Sequence, residues 1–360
     1  MTSRINADFV SSLSEWFHRP LFVSWPAIKL LRESFCMTAT HQPTMSEDEA
    51  RTTAAKRVRF ADAMFIRATW LCAMLVMVAL LGVFLSLLIE SLPTWREFGL
   101  SFLWNERWSP AKDIYGAAAP IYGTLITSVI GLVIGVPVSF GIAIFLTEMC
   151  PPLLQRPIGT AIELLAGIPS IIYGLWGFFV LAPVMQSVVQ PALIATFGNV
   201  PVVGLLFSGA PYGIGLLTAG IVLAIMVIPF ITSVTRDVFG TVPVLLRESA
   251  YGMGMTTWEV VFHIIIPYTR RGLIGGVMLG LGRALGETMA VTFVIGNSHR
   301  IATSLLSPAT TISASIANEF SEATSDLYTS SLVALGLILF FITFAVLALA
   351  KWLIGRSESF

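Results

Sequence analysis

The 360-residue chain is 56% hydrophobic and only 12% charged, and its mean hydropathy is +0.83. A composition this apolar is typical of a membrane protein and exceeds that of ordinary globular domains. Basic and acidic residues balance at 21 each, which excludes the strong positive field of a nucleic-acid-binding protein. The three cysteines and four histidines are scattered singly, so we predict no disulfide framework, no metal site and no cofactor.

The start of the chain differs in composition from the rest. Sixteen of the 42 charged residues lie within the first 67 positions. No apolar run among residues 1–63 approaches the ~20 residues that a spanning helix needs. We therefore predict a cytoplasmic, partly disordered segment at 1–63 and a transmembrane permease domain at 64–355. Met45 opens an acidic-then-basic stretch and is an alternative start of translation, a genuine extension at 1–44 being the other possibility.

The rest of the chain contains apolar stretches long enough to cross a bilayer core about 30 Å thick. The stretch from 185 to 211 is interrupted by three prolines and is expected to be broken and to dip into the membrane interface. The sequence thus predicts an all-α polytopic membrane protein with six transmembrane helices, near 68–89, 121–147, 160–182, 213–235, 272–298 and 327–350.

Lysine and arginine are distributed unequally between the two sides of these predicted spans. Twelve lie in the connections and flanks on the side of both termini, and four lie on the opposite side. Short cytoplasmic loops carry the excess of positive charge in membrane proteins. Both termini are therefore predicted to face the cytoplasm.

The chain lacks the means to hydrolyse ATP. A phosphate-binding loop of the form GxxxxGK[ST] is absent, since none of the four lysines has both the required glycine and the required Ser or Thr beside it. No GxSxG serine of a hydrolase is present either. We predict that the chain is a transport subunit and not an enzyme, with ATP hydrolysis supplied by a partner.

The long connection between the fourth and fifth predicted spans, 236–271, contains a spaced motif. The run ESA at 248–250 is followed after three residues by Gly254, and after nine more by IIIP at 264–267. This pattern resembles the EAA loop of ABC importer permeases, with Ser and Ile where that pattern has Ala and Leu. The resemblance implies a short coupling helix that contacts the ATPase, and a tight turn with which a bulky side chain would collide. The coupling residues that it implies are Glu248, Ser249, Ala250 and Gly254, and the alternative is an ordinary amphipathic surface helix.

Three further runs sharpen the resemblance: GRALGETMAVT at 282–292, IYGT at 121–124 and AIELLAGIPSI at 161–171. They are similar to the phosphate-specific permeases of ABC importers, PstC type. The resemblance implies a type I importer fold in the bacterial inner membrane. It also implies a partner permease of PstA type, a PstB-type ATPase dimer and a periplasmic PstS-type protein that delivers inorganic phosphate.

Arg283 and Glu287 lie inside the predicted fifth span, where each central charge costs about 2.5–3.5 kcal/mol to insert. Helical geometry places Arg283 about 20° around the helix from Gly272 and Gly276, on the side where another helix can approach closely. An arginine fork can donate two parallel hydrogen bonds to an oxyanion. We therefore predict that Arg283, Glu287 and Thr288 line the substrate path. A buried Arg283–Glu287 salt bridge that only holds the span in place is the alternative.

Two other functions remain open from the sequence. One is an ABC permease for another oxyanion or a small solute, which would share the EAA loop and differ in the run at 282–292. The other is a secondary phosphate carrier, which should lack an EAA loop and show inverted repeats.

Overall fold

The computed structural model describes residues 45–198, 200–201 and 203–356, and the regular elements in these ranges are helices. The chain divides into two units, with the boundary between Val78 and Ala79. The described part of the first unit belongs to a long helix, α1 (Met45–Glu90), and its side chains from 62 to 78 are almost all exposed. Residues 45–63 of the segment predicted to be partly disordered are helical, and the rest of that segment, 1–44, lies outside the described residues.

Among the described residues, five helices are long and apolar enough to cross a membrane, and a pair of helices bent by 60° completes a sixth crossing. The prediction of six spans is confirmed when the bent pair is counted as one. The helices after α1 are α2 (Leu92–Phe98), α3 (Ser101–Trp104), α4 (Ala118–Met149), α5 (Pro152–Ala166), α6 (Ser170–Phe197), α7 (Val203–Leu206), α8 (Leu216–Gly240), α9 (Val244–Gly252), α10 (Thr257–Leu285), α11 (Met289–Ile295), α12 (Ile312–Glu319) and α13 (Asp326–Arg356). The five continuous crossings are α1, α4, α6, α8 and α13, and the bent pair is α10 with α11.

The third predicted span, 160–182, is wrong in its bounds. The chain forms α5, breaks before Pro169 and then forms α6, because a proline disfavours helical geometry in the residue before it. The break predicted from residue 185 is also wrong as far as the end of α6. That helix continues through Pro183 and Pro191 by way of two π-helical turns, which change the local hydrogen-bond register.

The fifth predicted span, 272–298, is not one straight helix. Helix α10 ends at Leu285, three residues lie outside helical structure, and α11 leaves at an angle of 60°. Gly286 opens this break, and a residue without a side chain weakens a helix interior. The sharp bend places irregular backbone at the depth of an apolar crossing, an arrangement that membranes tolerate where protein or a polar path surrounds it.

Helix α8 is the centre of the second unit. In the apolar 18-residue stretch of α8, 61% of the residues are buried, whereas the corresponding share in the other continuous crossings is 0–28%. Glycines allow its neighbours to approach closely: a Cβ added to Gly220 would lie 2.4 Å from Ile130 of α4, and one added to Gly280 of α10 would lie 2.7 Å from Ile231. Close backbone contact of this kind replaces the hydrophobic driving force that is absent between helices in lipid.

Two clusters of buried side chains mark the opposite ends of α4. We call the first the aromatic end; it contains Phe102, Tyr115, Ile312, Tyr328 and Leu332. We call the second the loop end; it contains Ala143, Phe239, Val242, Ala250 and Val260.

Candidate functional site

Helix α9 lies at the loop end and carries the ESA motif. Ala250 is fully buried in the loop-end cluster, so the small side chain at this motif position lets α9 lie close against the bundle. Glu248 and Ser249 are exposed, and the Ser249 hydroxyl donates to the carbonyl of Leu245 at 2.7 Å. The motif therefore has one inward residue and two outward residues.

Besides Glu248 and Ser249, four large apolar side chains on and near α9 are exposed. Val244 is 66% exposed, Leu245 73%, Met253 75% and Trp258 68%. Several large exposed apolar side chains at one end of a bundle are typical of a protein–protein contact. We call these four residues the coupling surface.

Gly254 follows α9 with a φ of +86°, which only glycine adopts without strain. A Cβ here would meet no atom of the described residues within 4 Å, so the collision expected of a bulky side chain is not set by its first atom and stays a prediction. The constraint is the backbone angle. Just beyond, the carboxylate of Glu259 accepts from the backbone N–H of Thr256 at 2.7 Å and caps the start of α10.

An ion pair that the sequence analysis missed anchors α9. Glu148, in the π-helical last turn of α4, has a side chain only 5% exposed and lies 3.0 Å from Nη1 of Arg247 on α9. Nη2 of Arg247 also donates to the carbonyl of Phe239, near the end of α8, at 2.6 Å. One guanidinium thus joins α9 to the ends of two crossings. The sequence did offer a signal for this pair: Glu148 is a single acid at the end of the uncharged stretch 114–147, and a charge in such a place needs a partner.

Arg283 lies on the last turn of α10, beside the bend. Its side chain is exposed, and its Cζ lies 5.8 Å from the centre of the Phe230 ring on α8. A cation at a helix C-terminus and over an aromatic face is stabilised electrostatically. Among the described residues no carboxylate pairs with Arg283, so the alternative of an Arg283–Glu287 salt bridge does not hold in this conformation.

Glu287 and Thr288 lie in the break between α10 and α11, and not one helical turn beyond Arg283 as a straight helix would place them. An oxygen of Glu287 accepts from the backbone N–H of Ala290 at 3.3 Å and so helps to cap α11. The Thr288 hydroxyl donates weakly to the carbonyl of Gly286 at 3.4 Å. The predicted glycine packing does hold, since Cβ atoms at Gly272 and Gly276 would press on valines of α8.

The fold agrees with comparisons to known proteins. Residues 135–358 match the family described as binding-protein-dependent transport system inner membrane component. The phosphate transport system permease protein PstC of Mesorhizobium japonicum is 59% identical over 323 residues, which are 90% of this chain and 99% of that protein. PstC of Pasteurella multocida is 58% identical over 297 residues, covering 82% and 92%.

A solved structure shares the fold. It is a bacterial alginate ABC transporter in complex with an alginate pentasaccharide-bound periplasmic protein, with a TM-score of 0.55 at 15% identity, covering 85% of this chain and 98% of that chain. The helices and the exposed loop thus define a polytopic permease with the fold of ABC importers. The chain belongs to the family of binding-protein-dependent transport system inner membrane components and, within it, to the phosphate transport system permease proteins of PstC type.

Proposed function

We propose that the chain is the membrane subunit of an ATP-driven inorganic phosphate importer and forms the translocation path with a second permease. The observation that carries this proposal is the guanidinium of Arg283, which has no carboxylate partner among the described residues and lies at the bend of a membrane crossing, in a chain 59% identical to a phosphate transport permease. The chain is a transport subunit, and the ATP that drives transport is hydrolysed in a partner subunit.

Arg283 has the chemistry that a phosphate path requires. Its fork can donate two parallel hydrogen bonds to two oxygens of the anion, and it keeps its charge at any accessible pH. Because no carboxylate in the described part of the chain pairs with it, binding the anion does not require an ion pair to break first. Glu287 lies at the bend and limits the net positive charge there. Thr288, the next residue, adds a neutral hydrogen-bond donor. Because Glu287 limits the positive charge, the anion is bound weakly enough to be released.

The coupling surface supports the second half of the proposal. Leu245 and Met253 are about three-quarters exposed, although neighbouring Ala250 is fully buried, so α9 is ordered while its outer side is uncovered. A PstB-type ATPase dimer is the partner that would cover this surface, with Glu248 and Ser249 at the contact. A PstA-type permease and a periplasmic PstS-type phosphate-binding protein complete the proposed assembly.

The proposed orientation places both termini and the loop end in the cytoplasm of a bacterial cell and the aromatic end outside the inner membrane. Twelve basic residues flank the spans on the proposed cytoplasmic side, against four on the other. This orientation puts the coupling surface on the side where ATP is available.

Arg283→Gln tests the path. The substitution should abolish most phosphate uptake in membrane vesicles while leaving the complex assembled, because removing a cation with no carboxylate partner leaves no unpaired buried charge behind. Arg283→Lys keeps the charge but loses the fork, so an intermediate loss is expected. Arg156→Gln, which removes an exposed charge from α5, is the matched control and should leave uptake unchanged.

The double substitution of Arg283 and Glu287 by Gln separates a path from a structural pair that forms only in another conformation of the transporter. Full uptake in that double variant, at normal protein level, would show that the path lies elsewhere. Uptake of another oxyanion such as sulfate in preference to phosphate would favour the alternative ABC permease. Uptake that continues without ATP would favour a secondary carrier.

A further inference from the structure

A basic cavity lies at the aromatic end, separated from Arg283 by helix α11. It has a volume of about 480 Å³ and is formed by the loop from Glu106 to Ile114 and by His299 and Arg300. Three cations line it: Arg107, Lys112 and Arg300. In the described part of the chain none of the three has a carboxylate partner, and all three side chains are exposed.

The acids near the cavity are already engaged elsewhere. Glu106, which also lines the cavity, accepts from the backbone N–H of Ile301 at 2.6 Å and so joins the two loops. Glu319, behind the wall, accepts from Nε1 of Trp108 at 2.6 Å and contacts Nε2 of His299 at 2.7 Å. Asp113 accepts from the hydroxyl of Tyr115 at 3.3 Å. These hydrogen bonds leave the carboxylates charged, but Glu106 is the one acid among the described residues that line the cavity, against three cations, so the lining carries an excess of positive charge.

The cavity wall is held in a fixed shape. The rings of Trp108 and His299 stack with their planes 7° apart and their centres 5.0 Å apart. The turn that carries Lys112 is closed by paired backbone hydrogen bonds between Ser109 and Ile114, at 2.8 and 3.2 Å. The cations thus stand on a rigid rim, which lowers the entropy that they lose on gripping an anion.

Helix α11 connects the bend beside Arg283 to the cavity. Helix α11 begins directly after Glu287 and Thr288, ends at Ile295, and is followed within a few residues by His299 and Arg300. Seven helical residues span about 10 Å. The two basic sites therefore lie at opposite ends of one short helix.

We propose that this cavity is a second oxyanion site, which holds inorganic phosphate before it reaches Arg283. The assignment of the anion as transported substrate rests on the proposed function, whereas the oxyanion chemistry rests on the cavity alone. At about 30 Å³ per water molecule, the volume accommodates a phosphate that keeps part of its hydration shell. Such a site is loose, salt-sensitive and suited to transfer.

The test uses the complete permease–ATPase complex, purified without the periplasmic protein and carrying Arg283→Gln so that the bend contributes no binding. Radiolabelled inorganic phosphate is bound at low ionic strength by equilibrium dialysis. Adding Arg107→Gln and Arg300→Gln should weaken binding by about tenfold or more, since two charge-assisted hydrogen bonds are lost. Arg96→Gln, which removes an exposed charge from α2 outside the cavity, should change it by less than about twofold.

Phosphate binding that is absent in the Arg283→Gln complex, or that is unchanged by the two cavity substitutions, would overturn the proposal. A lipid headgroup is the other source of the same chemistry. If an anionic phospholipid co-purifies with the complex and is lost with Arg107→Gln and Arg300→Gln, the oxyanion site stands and free phosphate is overturned as its occupant.

Failure of the proposed function gives a different result. In that case energised vesicles with the unaltered complex import no phosphate, although the cavity substitutions still weaken phosphate binding. If instead the vesicles import phosphate and the cavity substitutions leave binding unchanged, only the second site is wrong.

Discussion

Replacing Glu148 with Gln is expected to loosen helix α9 from the ends of α4 and α8. The carboxylate is 5% exposed and lies 3.0 Å from Nη1 of Arg247, whose Nη2 donates to the Phe239 carbonyl at 2.6 Å. Glutamine keeps the size of the side chain and removes its charge. Arg247 then keeps its carbonyl contact and loses its counter-charge.

The size of the effect follows from the burial of the two partners. Removing one partner of a fully buried ion pair costs about 3–5 kcal/mol, whereas exposed pairs contribute about 0–1 kcal/mol. The Arg247 side chain is 21% exposed, so water partly replaces the lost carboxylate. Within the described part of the chain Oε1 of Glu148 makes no hydrogen bond of good geometry, so its contact with Arg247 is an attraction between charges and not a directional hydrogen bond. We expect the α9 contact to weaken by about 1–3 kcal/mol.

Two measurements on the purified complex report this change. Amide hydrogen exchange across 244–254 should accelerate by roughly 5–150-fold if α9 opens locally. The number of ATP molecules hydrolysed per phosphate transported should rise, because a loosened α9 moves without pulling α4 and α8. The first measurement depends only on the fold, and the second depends on the proposed function.

The chain supplies a matched control at the same end of the bundle. Glu163 pairs with Arg236 at 2.5 Å, but their side chains are 49% and 25% exposed. Glu163→Gln should therefore leave exchange of α9 unchanged. Equal exchange in the Glu148 and Glu163 variants would refute the anchoring role of Glu148. A double-mutant cycle that combines Glu148→Gln with Arg247→Met should give a non-zero coupling energy between Glu148 and Arg247.

Other substitutions test the turn, the helix packing and the aromatic end. Gly254→Ala forces a side chain into a φ of +86°, which costs about 1–3 kcal/mol, and should reduce ATP-coupled uptake without lowering protein level. Gly220→Ala places a Cβ 2.4 Å from Ile130 and should lower the unfolding temperature in detergent, while Gly141→Ala on α4, with open space around it, should not. Burial would raise the pKa of Glu319, but hydrogen bonds from three neighbouring side chains outweigh it and lower that pKa. The carboxylate therefore stabilises the fold above its unfolded pKa of about 4.3 and loses this contribution as the pH falls through its lowered pKa. Glu319→Gln should lower the unfolding temperature at neutral pH, and a difference that persists undiminished well below pH ~4 would contradict this account.

The number of crossings could be read from the sequence, but their bounds could not. Hydropathy reports only that a stretch tolerates lipid, and this property is nearly the same on either side of a proline. It could not indicate that Pro169 breaks a helix while Pro183 and Pro191 do not. The outcome depends on whether neighbouring turns can take up the freed carbonyl groups, as the π-helical turns of α6 do.

The chain's own residues determined the class of protein, the motif around Glu248 and the costly charge at Arg283, because each depends on composition or on spacing along one helix. Only the tertiary structure decided how those residues are used. It turned Glu287 out of the helix of Arg283 by a bend of 60°, and it brought Glu148 to Arg247 across 99 positions of sequence. Periodicity describes which residues share a face, whereas pairing between helices depends on which helices pack together and at what angle, and that is fixed by contacts distant in sequence.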